Sequence, residues 1–169
     1  WIGEDEEARC ALESLAKKIY YYHLRNLGIP PSCDAASKRG AEWWVQVKDM
    51  RTESDGAIDI HYDKDETIAE EYEIGVFPEV STVTYLTEAI GAGPTLVVEN
   101  TLADEPGTPI KKAIVAHPIV GQHLAFDGKF LHGAPREPLL RKAESGEDVF
   151  RITFLVNCWI GHRPRSVSC

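Results

Sequence analysis

In the stretch AIDIHYDKDE, residues 57–66, a histidine and an aspartate stand two residues apart, His61 and Asp63. In an extended strand, residues i and i+2 project to the same side. The imidazole and the carboxylate therefore share a face, opposite Ile58, Ile60 and Tyr62. One nitrogen and one oxygen donor on a common face can grip a divalent ion. A third ligand from another strand would complete a facial triad with open positions for substrates. H-x-D pairs also arise by chance, and a solvated strand end is the plain reading of this one. Asp65 and Glu66 read as solvated charges. Four downstream histidines offer the third ligand: His117 before a proline, His123 in GQHLAFDG, His132 in GKFLHGAPRE and His162 in the polar tail. Spacing alone does not choose among them, and each has an ordinary surface or hydrogen-bonded role as its alternative.

A second group lies near the C-terminus, in FRITFLVNCWI. Alternation puts Arg151, Thr153, Leu155 and Asn157 on one face of a strand and Ile152, Phe154, Val156 and Cys158 on the other. A guanidinium with a hydroxyl two residues on makes a carboxylate clamp, because the planar fork binds both carboxylate oxygens and the hydroxyl adds a bond. An arginine paired with a surface acid is the competing reading.

Several elements must position these groups. A helix is expected from Asp5 to about Leu27, on the period of Ala8, Leu12, Leu15, Ile19 and Tyr22. Acidic residues stand at its start, basic ones at its end, and Gly28 with Pro30 and Pro31 stops it. PPSCDAASKRG is a polar connection. The period then becomes two. EWWVQVKD, GAIDIHYD, VSTVTYLTE, TLVVEN, KKAIVAHP, QHLAFD, KFLHG and FRITFLVNCWI read as strands, with VSTVTYLTE and TLVVEN joined as a hairpin through GAGP. APREPLLRKAESGED reads as a charged surface loop. One helix and seven or eight strands imply a mainly β barrel or sandwich with helical support. The expected organisation is one domain over 1–169, with a helix and connection in 1–40, a β core in 41–160 and a tail in 161–169.

Composition narrows the function classes. The 169 residues carry a net charge of −9 without a cationic stripe, which disfavours nucleic acid. No apolar run approaches a membrane span. The chain opens on Trp1 rather than Met, which leaves room for a missing N-terminal piece. No signal peptide is visible, and a cytoplasmic, reducing location is the expectation. Cys10, Cys33, Cys158 and Cys169 show no C-x-x-C spacing, and Cys158 reads as a buried thiol. Trp43, Trp44 and Trp159 could line a pocket, with core packing as the alternative use.

Taken together, His61-x-Asp63, His132 and Arg151-x-Thr153 resemble the Fe(II)- and 2-oxoglutarate-dependent oxygenases. STVTYLTEAIGAGPTLVVE is similar to the segment of the prolyl-4-hydroxylase-like branch in which a Tyr-Leu strand turns through Gly-Gly-x-Thr. PIVGQHLAFDGKFLHGAPRE is similar to that branch's approach to its distal histidine. The resemblance covers roughly residues 57–159. It implies a double-stranded β-helix of the jelly-roll, cupin-like kind. It implies His61, Asp63 and His132 as Fe(II) ligands, which selects His132 over His117 and His123. It implies Arg151, Thr153 and Tyr85 as anchors of the 2-oxoglutarate far carboxylate, with O₂ as the other co-substrate. The implied activity is dioxygenase hydroxylation of a C–H on a peptidyl, including prolyl, or small-molecule substrate, releasing succinate and CO₂. The gap from His132 to Arg151 exceeds the family's common spacing, and an insertion over Pro135–Val149 would account for it. Little chain precedes the first strand to build a substrate lid. Two other classes compete: a cupin-like metalloenzyme that does not use 2-oxoglutarate, and a catalytically silent β-helix binding module. Arg151 discriminates against the first, and an intact ligand set counts against the second.

Overall fold

The alternation read in the last strand organises the whole molecule. In the computed structural model, which describes residues 1–32, 37–51, 57–88, 92–135, 149–165 and 167, that strand runs Phe150–Trp159 and touches two different layers. Phe154, Val156 and Cys158 pack with Ala16, Tyr20 and Leu24 of a helix. Arg151, Thr153 and Leu155 line a cavity on the opposite side.

In chain order the described elements are β1 (Ile2–Gly3), α1 (Ala11–Asn26), β2 (Gly40–Asp49), β3 (Ile58–His61), α2 (Glu66–Tyr72), β4 (Val80–Tyr85), β5 (Thr95–Val98), β6 (Ala113–Ala116), β7 (His123–Asp127), β8 (Leu131–Ala134) and β9 (Phe150–Trp159). They form a five-stranded sheet ordered β1-β2-β9-β4-β7 and a four-stranded sheet ordered β3-β8-β5-β6. All pairings are antiparallel, and they are nested: β2 with β9, β3 with β8, β4 with β7, β5 with β6. The chain thus behaves as one long hairpin with its tip at β5–β6, bent so that its strands divide between two sheets. Among the described residues the sheets stay separate, and no closed barrel is found.

Apolar burial holds the layers together. One cluster seals α1 against the outer face of the five-stranded sheet. A second, built on Val83, Tyr85, Val97, Ala116 and Phe126, lies between the sheets. No described helix is long and apolar enough to cross a membrane.

Four expectations change. The helix starts at Ala11, not Asp5, because local bonds divert the acidic stretch: Glu6 accepts from the Gly3 N–H, and Glu13 reaches back to the Arg9 N–H. Its end follows the expected signal, with Gly28 at φ 70° and the Gly28 and Ile29 amides bonded to the Arg25 and Leu24 carbonyls. β4 and β5 are not a hairpin, since they belong to different sheets and the hairpin is β5–β6. Asp65 is not a solvated charge. It is fully buried and caps α2, accepting from the Ile68 amide, the Arg165 amide and His162 Nε2. The fourth change concerns β3, where alternation breaks. A register shift between Ile58 and His61 brings both onto the cavity wall. Cys33, Cys169, Gly91 of the GAGP turn and residues 136–148 of the expected insertion lie outside the described residues.

Candidate metal centre

The four-stranded sheet supplies two of the three donors. His61 of β3 and His132 of β8 are direct cross-strand partners, and their ring centroids are 4.5 Å apart. Asp63 follows just beyond β3, with Oδ1 3.7 Å from His61 Nε2 and Oδ2 3.5 Å from His132 Nε2. The three ligand atoms lie within 4.8 Å of one another. His117 and His123 are elsewhere. His117 is exposed at the end of β6. His123 faces α1, bonded to His23 at 2.9 Å and to Thr84 Oγ1 at 2.7 Å. His162 is spent on Asp65.

The surrounding bonds orient the donors. Nδ1–H of His61 donates to the Asp59 carbonyl at 2.7 Å, and Nδ1–H of His132 donates to the Phe130 carbonyl at 3.0 Å. A carbonyl accepts only, so Nδ1 carries a proton, and in the neutral ring the lone pair then lies on Nε2. Both Nε2 atoms point at the aspartate. Ser81 Oγ donates to Asp63 Oδ2 at 2.8 Å, fixing the carboxylate from the facing sheet. Outer bonds of this kind accompany metal-ligating histidines and carboxylates generally. Burial holds the His132 pKa below its ordinary value, against the pull of Asp63 and the Phe130 carbonyl. The ring is therefore neutral, the form that binds metal.

Gly133 completes this geometry. A Cβ there would lie 2.7 Å from the Asp59 carbonyl oxygen and 2.9 Å from that of Ile58. The shifted segment of β3 thus runs directly over β8, and only glycine admits it.

The cavity beside the triad is small, about 50 Å³. A grid of cross-strand rows runs over β2, β9 and β4, and its first two rows supply Gln46, Thr153, Trp44, Leu155 and Val83 to the cavity. Gln46, Thr153 and Tyr85 form one row, Trp44, Leu155 and Val83 the next, and Glu42, Asn157 and Ser81 the third. Arg151 lines the cavity at 2% exposure, and its Nη2 donates to Thr95 Oγ1 at 2.8 Å. Among the described residues its Nε and Nη1 have no hydrogen-bond partner, nor has Gln46 Oε1. Burial pushes the Arg151 pKa down, yet a guanidinium remains charged at neutral pH. The structure thus holds a desolvated cation with two unsatisfied donors at the wall of a cavity that both histidines also line. An uncompensated buried charge is costly, which favours an anion there.

Tyr85 and Thr153 are both buried beside Arg151. The Tyr85 ring lies 5.7 Å from the guanidinium carbon, and its hydroxyl is bonded to Thr95 Oγ1 at 2.6 Å and to the Ala116 carbonyl at 3.0 Å. Like Gln46, Val83 and Ala134, which also line the cavity, Thr95 was not singled out in the sequence. Its inward alternation with Val97 was the available signal. Of the tryptophans, Trp44 lines the cavity, Trp43 packs on Phe154 at 6.0 Å, and Trp159 is buried with Nε1 bonded to Glu42 at 3.0 Å.

No family model and no curated protein matches this chain. The functional argument therefore rests on the site itself.

Proposed function

We propose that this chain is an Fe(II)- and 2-oxoglutarate-dependent oxygenase that hydroxylates a C–H of a peptidyl or small-molecule substrate. The two sheets are read as the halves of a double-stranded β-helix, supported by the nested pairing of β2 to β9. The observation that carries the proposal is Arg151, buried and half-unpartnered in the cavity that His61 and His132 also line.

The donor set suits the group. Two neutral imidazoles and one carboxylate favour a borderline ion such as Fe(II) over an all-oxygen magnesium or calcium site. His61, Asp63 and His132 would hold it, and with 2-oxoglutarate and O₂ it supplies oxidation coupled to release of succinate and CO₂. The protein's own part is positional. Nε and Nη1 of Arg151 would bind the far carboxylate of the co-substrate, with Thr153 adding its hydroxyl. Thr95 and Tyr85 hold the guanidinium at Nη2 and from beneath. Ser81 fixes Asp63, and the Asp59 and Phe130 carbonyls keep both imidazoles in the ligating tautomer. Val83, Leu155 and Trp44 keep the cavity wall apolar.

Anaerobic addition of Fe(II) and 2-oxoglutarate tests this directly. A weak visible charge-transfer band should require both, and succinate should form in air with a suitable peptide or metabolite. Folded protein that retains no metal and gives no band would sink the proposal.

A further inference from the structure

A second groove opens on the other side of the metal triad. It is lined by Glu42, Trp44, His61, Tyr62, Asp63, Lys64, Glu66 and Asn157, with a volume of about 210 Å³. Trp44 and His61 belong to both cavities. Glu42 and Asn157 come from the third row of the strand grid, whose last member, Ser81, bonds Asp63.

The charges in this groove do not balance. Lys64 is tied to Glu66 at 3.0 Å. Asp63 would be balanced by a bound metal. Glu42 has no cationic partner among the described residues: its Oε2 accepts from Trp159 Nε1 at 3.0 Å and from Asn157 Nδ2 at 3.2 Å, both neutral donors. Those bonds fix its orientation and leave Oε1 open. They also fix Asn157. Burial raises the Glu42 pKa, and the bonds from Trp159 and Asn157 oppose that rise; in its ionised form the carboxylate can only accept, so Nδ2 of Asn157 faces it and Oδ1 is the free end. Asn157 is 3% exposed, and among the described residues this Oδ1 has no hydrogen-bond partner. One carboxylate oxygen and one buried amide oxygen therefore await donors, and Trp44 and Tyr62 offer aromatic faces in the same groove.

We propose that Glu42, Asn157, Trp44 and Tyr62 form a subsite for a cationic nitrogen group of the substrate, most simply a primary ammonium. This names the substrate class of the oxygenase site and rests on that reading for its function. An ammonium has donors for both acceptors and a charge to offset Glu42. Its methylene stem suits the indole and phenol rings, where a cation gains a further attraction. A neutral alcohol could serve Asn157 but would leave Glu42 uncompensated, and an anionic group would be repelled.

The Trp159 indole N–H donates to Glu42, which makes it a direct reporter. The uniformly ¹⁵N-labelled 169-residue chain is titrated with 1-aminopentane and with 1-pentanol, both metal-free and loaded with redox-inert Zn(II). The amine should shift the Trp159 indole signal saturably, about tenfold more tightly than the alcohol. Glu42→Gln should reduce the amine to the alcohol's level, whereas Glu42→Asp should keep a preference. Tyr62→Leu, at a half-buried position, should weaken the amine about threefold and serves if Glu42→Gln fails to fold. Equal binding of amine and alcohol, or an undiminished amine preference in Glu42→Gln or Tyr62→Leu, overturns the proposal. Zn(II) binding without amine preference defeats this inference alone. Amine preference without Zn(II) binding defeats the oxygenase reading and leaves the cation subsite standing.

Discussion

His61 and His132 face each other across β3 and β8, and each turns Nδ1 to the carbonyl two residues before it in the chain. This repeated arrangement leaves two Nε2 lone pairs converging on Asp63. Either His61→Ala or His132→Ala should therefore abolish tight Fe(II) or Zn(II) binding, measured by calorimetry. His123→Ala should leave it intact, since that ring faces α1. Ser81→Ala removes only the bond behind Asp63, and about 10- to 100-fold weaker metal binding is expected.

Arg151 separates a ligand clamp from a structural arginine. Arg151→Met removes two buried, unpartnered donors and keeps the side-chain length. Thermal stability should be unchanged or raised by up to about 2 kcal/mol. Affinity for 2-oxoglutarate should fall by about 100-fold or more while Fe(II) still binds, because half of a buried ion pair would be missing. Arg151→Lys should fall between. A large loss of stability without a change in 2-oxoglutarate affinity would mark the residue as structural.

Gly133→Ala is expected to act on the backbone. The new Cβ would meet the Ile58 and Asp59 carbonyl oxygens, and β3 would have to lift from β8. Overpacking of this kind costs about 1–3 kcal/mol. Metal affinity should fall with stability, because His61 rides on the displaced segment. Denaturant unfolding and a zinc titration on the same preparation check both.

Asp65→Ala would strip one carboxylate from three donors at once. The lost cap costs about 1 kcal/mol, and buried donors left unpaired cost about 1–3 kcal/mol more. His162→Ala should cost less, since both amide bonds survive. Burial alone would raise the Asp65 pKa, but the bonds from His162, Arg165 and Ile68 outweigh it and hold the pKa low. Its contribution to stability is accordingly lost as pH falls through that lowered value. Asp65→Ala should flatten that acid limb of a stability–pH curve.

His23 predicts a pH effect of its own. Burial, with His123 next to it, pushes its pKa from 6.5 down to about 4. Below 6.5 the unfolded chain takes up a proton that the folded protein refuses until about pH 4. Stability should therefore fall as pH drops across that window, by at most about 1.4 kcal/mol per pH unit. His23→Gln should remove this component of the slope in urea titrations.

Much of the positioning framework was legible because it rests on period two. Arg151, Thr153, Leu155 and Asn157 share a face in the structure as alternation requires, and β2, β4 and β9 fall where β-branched and aromatic residues cluster. What escaped has no periodic signature. α2 is seven residues long with none buried, held by the Asp65 cap rather than by an apolar stripe. The shift in β3 depends on the opposing glycine, which is distant in sequence. The pairing of β5 with β6 rather than β4 is a choice between sheets, made by tertiary burial and not by the GAGP turn. The role of Thr95 required knowing that Arg151 lies over it, a contact between residues far apart in the chain.

β9 carries a parity rule. Its odd positions from 151 onward look into the two cavities or onto Glu42, and its even positions 154, 156 and 158 form the seat of α1. Ten cross-strand pairs to β2 and six to β4 lock that phase. Evolution can therefore retune ligand choice at odd positions while leaving folding to the even ones. An insertion or deletion of one residue within the strand has no such latitude, because it would exchange the two sets at once, sending the guanidinium into the helix seat and aliphatic side chains into the cavity.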